Sequence, residues 1–93
     1  MSEQTQQSHS FKIGQKVFIR TVTMYYTGRV VGVTDSEVVL DDAAWIGSSG
    51  RWNNALVQGE LDEVEPYPET VYVSRGGIID WSTWLHDLPR ECK

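Results

Sequence analysis

A chain of 93 residues with 40% hydrophobic content can bury one modest core, and it is too short for two domains. Thirteen acids against eight bases give a net charge of −5, which argues against sequence-independent binding to a phosphate backbone. A single cysteine, Cys92, excludes an intrachain disulfide, and no apolar run approaches the roughly 18 residues of a membrane-spanning helix.

Residues 1–10 are rich in Gln and Ser and show no apolar period. They predict a disordered tail rather than a signal peptide, followed by a single domain over residues 11–93. With no membrane partner in view, the default location is the cytoplasm. Residues 16–23 predict a first strand. Val17, Phe18 and Ile19 are too uniformly apolar for clean alternation, so a strand covered on both faces is expected. Residues 24–26 lead into a second strand that runs through Val33, with Gly28 and Gly32 marking bends or bulges. A turn at residues 34–36 precedes a short third strand over residues 37–41.

The strand grammar then breaks. Residues 43–59 hold two tryptophans, three glycines, two serines and an Asn pair. This insert predicts a loop followed by a short helix over residues 51–58, capped by Ser48 or Ser49 and stopped by Gly59. Trp52, Ala55 and Leu56 would share one helical face. Residues 61–65 predict a fourth strand and residues 70–74 a fifth. Arg75, Gly76 and Gly77 form a turn, Ile78 and Ile79 a return strand, and residues 80–86 a terminal helical turn capped by Asp80.

Charge is unevenly placed. Residues 12–34 carry four bases and no acid, whereas residues 60–69 carry five acids and no base. Such an asymmetry suits contacts between neighbouring subunits, or else a solvated acidic face. Catalytic constellations are poor. Asp41 and Asp42 are adjacent on a strand and would point apart. His9, His86 and Cys92 give no metal-ligand spacing, and Ser82, His86 and Asp87 lack the architecture of a triad. The sequence reads as a non-enzyme and calls for no cofactor.

Two stretches resemble the paired motifs of Sm-like proteins: residues 27–32 continuing through 39–43, and residues 72–79 with their Arg75-Gly76 centre. The resemblance implies a small five-stranded barrel, mainly β, with a helix-bearing insert, assembling as a homo-oligomer. Sm-like RNA binders carry an Asp and an Asn at the turn between strands two and three. Here Asp35 is followed by Ser36, Glu37 and Val38, so nucleic acid is not the expected partner.

The layout of residues 17–79 is also similar to that of small phage proteins of the first anti-Thoeris type. The matching stretches are residues 38–45, ending in Ala43, Ala44 and Trp45, and residues 52–56, with Asn53 and Asn54. That resemblance implies an oligomer that sequesters a nucleotide-derived immune signal of the cyclic ADP-ribose type without altering it. A structural or assembly role for the same scaffold is the alternative. For a nucleotide, Trp45 or Trp52 can stack on the base, and Arg29, Arg51 or Arg75 can hold phosphate. Asn53 and Asn54 can read ribose or base edges. Each tryptophan can equally serve the core, and Arg75 can equally be a turn residue.

Overall fold

The computed structural model describes residues 11–93. The predicted N-terminal tail, including His9, lies outside the described residues. The fold is mainly β, with six antiparallel strands and one short helix. In chain order these are β1 (Lys16–Thr21), β2 (Tyr25–Val33), β3 (Glu37–Ser48), α1 (Trp52–Gln58), β4 (Glu63–Pro66), β5 (Val71–Ser74) and β6 (Ile78–Thr83). A single 3-10 turn, Arg75–Gly77, joins β5 to β6.

The sheet order is β4-β3-β2-β1-β6, and β5 pairs with the N-terminal half of β3 beside β4. The expected closed five-stranded barrel is therefore corrected to a six-stranded sheet that does not close, because β6 pairs with β1 but not with β4 or β5. The 3-10 turn carries the chain from the β3 side of the sheet to the β1 side. The Val22 amide donates to the Gly77 carbonyl there, and the Arg75 amide to Ser36.

β3 is the spine of the molecule. It runs 12 residues, far past the short strand expected at 37–41, so most of the predicted loop is strand. Its partner along this length is β2, with register shifts beside Gly28 and at Val31. The first falls where Thr27 opposes Ala44 but Arg29 opposes Asp41, which leaves one extra residue on β3. Asp42 takes up that bulge with φ of 50°.

Both sheet faces are covered, as the apolar run in β1 predicts. Val17 and Ile19 pack with Val30, Val38, Leu40, Ala43 and Val73 on one face. Phe18 points the other way and packs with Ala44, Ile46, Ala55, Leu61, Val64, Trp84 and Leu88. Helix α1 and the C-terminal segment cover that second face. The helix starts at Arg51, whose side chain makes no cap, rather than at a serine. It ends as expected at Gly59, which is left-handed with φ of 75° and packs so closely on His86 that a Cβ would meet its ring at 2.7 Å.

The predicted terminal helical turn is corrected to strand. Residues 78–83 are extended and pair with β1, and Asp80 accepts both arms of the Arg20 guanidinium across the ladder instead of capping a helix. That carboxylate raises the Arg20 pKa. The outer edge of β4 is closed by Lys93, which exchanges two backbone hydrogen bonds with Val64 at 3.0 and 2.9 Å.

Among the described residues, one buried side-chain polar atom has no partner: the hydroxyl of Thr27 in the middle of β2. A buried unpaired hydroxyl costs about 1–3 kcal/mol, and valine has nearly its shape. Thr27→Val is expected to stabilise the fold by about 1 kcal/mol, raising the melting temperature by roughly 4–8 °C in a domain of this size. Thermal unfolding followed by circular dichroism checks this. A lower melting temperature would mean that the hydroxyl is hydrogen-bonded in solution.

Candidate functional site

The seven residues singled out for ligand binding do not meet in one place. Trp45 stands opposite Tyr26 on β2 and Glu65 on β4. Trp52 instead packs on Phe18 and Tyr25, with ring centroids 5.3 and 5.5 Å away. Tyr25 and Tyr26 are neighbours on one strand and so face opposite ways. The two tryptophans therefore lie on opposite faces of the sheet. Trp52 helps to close the α1 side of the core, and the Arg20 guanidinium sits 5.7 Å from the centre of its ring.

Arg51, Asn53 and Asn54 accompany Trp52 at the start of α1, away from Trp45. Arg51 and Asn53 are exposed and Asn54 is half-buried. Arg75 donates to the Thr34 carbonyl at 2.7 Å, pinning the β2–β3 turn to the 3-10 turn. Its structural reading, as a turn residue, is the one the geometry shows. Arg29 is ion-paired with Asp42. Asp41 accepts from the Thr70 hydroxyl, so the adjacent carboxylates are engaged separately and form no pair. Among the described residues no group of three or more His, Cys, Asp or Glu is placed to hold a metal, and no helix is long and apolar enough to cross a membrane.

What remains around Trp45 is a cleft of about 350 Å³ lined by Trp45, Glu65, Pro66, Tyr67 and Pro68. The position of its Trp45 wall is set by local sequence. Gly47 lies two residues beyond Trp45 on the same side of β3, and the indole folds across it. A Cβ at position 47 would meet the ring at 2.5 Å and the Glu63 carboxylate at 2.6 Å. Glycine here fixes the indole pose, and Pro66 and Pro68 stiffen the opposite wall.

Tyr67 is held by its amide, which donates to the Ala43 carbonyl at 2.8 Å, and its ring lies 6.3 Å from that of Tyr26. Burial, and secondarily the neighbouring Tyr67 phenol, raises the Tyr26 pKa. Two aromatic rings, Trp45 and Tyr67, thus line a site whose one charged wall is Glu65. Sequence reasoning found Trp45 but missed Tyr67. The signal is the Pro66-Tyr67-Pro68 triplet, an aromatic held between two prolines.

A smaller depression shares Pro66 and Tyr67 with the cleft and is bounded beyond them by Asp42, Ala43, Pro89 and Arg90. Arg90 also lines a third depression with Lys16, Arg29, Asp87 and Leu88. Aromatic and cationic regions are therefore joined around the end of β4, although Arg29 itself points to the Phe18 face. No family model, curated protein or solved structure matches the chain.

Proposed function

We propose that the protein is a non-enzymatic binder that sequesters a nucleotide-derived small molecule, of the cyclic ADP-ribose type that carries immune signals, and so acts as an anti-defence sponge. The observation that carries this reading is the aromatic cleft, where the Trp45 indole is pinned over Gly47 beside Tyr67 and stays half-exposed. Trp84, which fills the core, is by contrast 2% exposed. A half-exposed indole in a concave site offers a nucleobase its flat face, a contact worth roughly 1–3 kcal/mol per base. Glu65 can accept from an exocyclic amine or a ribose hydroxyl.

The test is recovery. Protein loaded with cyclic ADP-ribose, washed and then heat-denatured is expected to release the ligand chemically intact and in stoichiometric amount. Release of a hydrolysed product would make the protein an enzyme. Retention of no ligand would remove the binding reading.

The structural alternative rests on a different observation. β6 pairs only on its β1 side, and Ile79 and Tyr72 near the 3-10 turn are 57% and 62% exposed. Open strand edges template pairing with further chains. Assembly as a homo-oligomer is compatible with either reading, and light scattering on the purified protein would measure it.

A further inference from the structure

We infer that Arg29, Arg90 and Lys16 form a subsite for a phosphate-type oxyanion, held closed by the protein's own Asp42 carboxylate. The subsite extends the cleft reading at its cationic end, but it rests on separate residues and is tested with a separate ligand.

The geometry begins with the bulge in β3. Asp42 is the one described non-glycine residue with positive φ, at 50°. Asp is among the few residues with a Cβ that adopt this conformation, and bulges of this kind re-aim a side chain beside functional sites. The bulge delivers the carboxylate between two guanidiniums that approach from different elements. Arg29 on β2 donates through both terminal nitrogens to Oδ2, and Arg90 in the C-terminal segment donates to Oδ1 at 3.2 Å.

Ion pairs this open to water contribute little to stability. The Arg29 and Asp42 side chains are each 34% exposed and Arg90 is 64% exposed. Fold stability alone is therefore a weak reason to converge two arginines on one carboxylate. The arrangement instead shows that this spot accommodates an oxyanion on two guanidiniums, the geometry by which arginine recognises phosphate as well as carboxylate.

Lys16 borders the same depression of about 320 Å³, its ammonium donating to the His86 carbonyl at 2.6 Å. Asp87 is the acid on its rim, and Asp42 lines the adjoining depression that shares Arg90. An incoming oxyanion would displace the Asp42 carboxylate from the arginines. Asp42 thus sets the affinity by competition.

This predicts an increase in affinity on removing a charged side chain. Asn tolerates the left-handed conformation, so Asp42→Asn keeps the bulge while freeing both guanidiniums. The probe is inorganic pyrophosphate, titrated by calorimetry into the full chain at low ionic strength. Wild-type protein is expected to bind it weakly, and Asp42→Asn about fivefold more tightly, the effect of one unit charge at contact distance in water. Arg90→Gln should weaken binding in either background, and added salt should weaken it in all of them.

A folded Asp42→Asn that binds pyrophosphate no more tightly than wild type overturns the inference. If that variant does not fold, Arg90→Gln decides alone: unchanged pyrophosphate binding overturns the subsite, and lost binding supports it. Adenosine 5′-diphosphate, titrated in parallel, separates free oxyanion from phosphate ester. Trp45→Ala should weaken the nucleotide without changing pyrophosphate. If pyrophosphate responds to Asp42 and Arg90 while the nucleotide ignores Trp45, the subsite stands and the cleft reading falls.

Discussion

Trp84→Ala is expected to destabilise the protein by about 3–5 kcal/mol, the range for removing a large aromatic side chain from a packed core. Trp84 is 2% exposed and lies just beyond β6, where its amide donates to the Lys16 carbonyl at 2.9 Å. Its ring meets Phe18 edge-on at 5.3 Å and His86 at 4.8 Å, and its indole N–H donates to the Asp87 carbonyl at 3.1 Å. One side chain thereby ties β1 to the C-terminal segment under α1. A domain of this size holds roughly 5–15 kcal/mol in all, so the variant should sit close to its unfolding threshold. Urea denaturation is expected to show a much lower midpoint with an unchanged slope. A cost under about 1 kcal/mol would mean that the second core face does not depend on this residue.

The tryptophans also show where sequence reading succeeds and where it stops. The apolar run Val17-Phe18-Ile19 announced a strand buried on both faces, because no half-exposed strand tolerates three such residues in succession, and all three are buried. The stop at Gly59 was equally legible, since a helix end needing a left-handed residue selects glycine.

The length of β3 was not legible. Ala43 and Ala44 are weak strand formers, and Gly47 with Ser48 has the chemistry of a turn. They are extended because β2 and β4 pair along both sides, a tertiary cause that local propensity does not record. The helical turn expected at residues 80–86 failed for a related reason. Asp80 resembles a cap in sequence, but Arg20 lies 60 residues away and claims its carboxylate.

The candidate site was half-legible. Trp45 and Trp52 are seven positions apart in the chain, and sequence proximity grouped them with Arg51, Asn53 and Asn54. The passage from strand to helix sends them to opposite faces. Tyr67 and Glu65 come to Trp45 only through the pairing of β4 with β3.

Trp45→Ala carries the second large effect. The indole is half-exposed and rests on Gly47 rather than in either core cluster, so its loss should leave the fold intact. It removes the stacking surface, with an expected loss of roughly 1–3 kcal/mol in nucleotide binding, or about 5- to 150-fold in affinity. Tyr67→Ala should weaken binding in the same direction, and Trp52→Ala should not, because Trp52 faces away from the cleft. This contrast distinguishes the cleft from the helix as the binding element. Titration by calorimetry of the three variants, each shown to melt cooperatively, provides the check. Normal binding by Trp45→Ala alongside loss by Trp52→Ala would move the site to the α1 face.

The central claim, that the protein holds a nucleotide-derived signal, is tested most directly by thermal unfolding of the wild-type chain with cyclic ADP-ribose isomers and with cyclic dinucleotides. A ligand at 100 times its dissociation constant stabilises the folded state by about 2.7 kcal/mol, which in a domain of this size raises the melting temperature by roughly 10–20 °C. Such a rise is expected with at least one cyclic ADP-ribose isomer, and a smaller one in Trp45→Ala. An unchanged melting temperature with every nucleotide, at millimolar concentration, would contradict it.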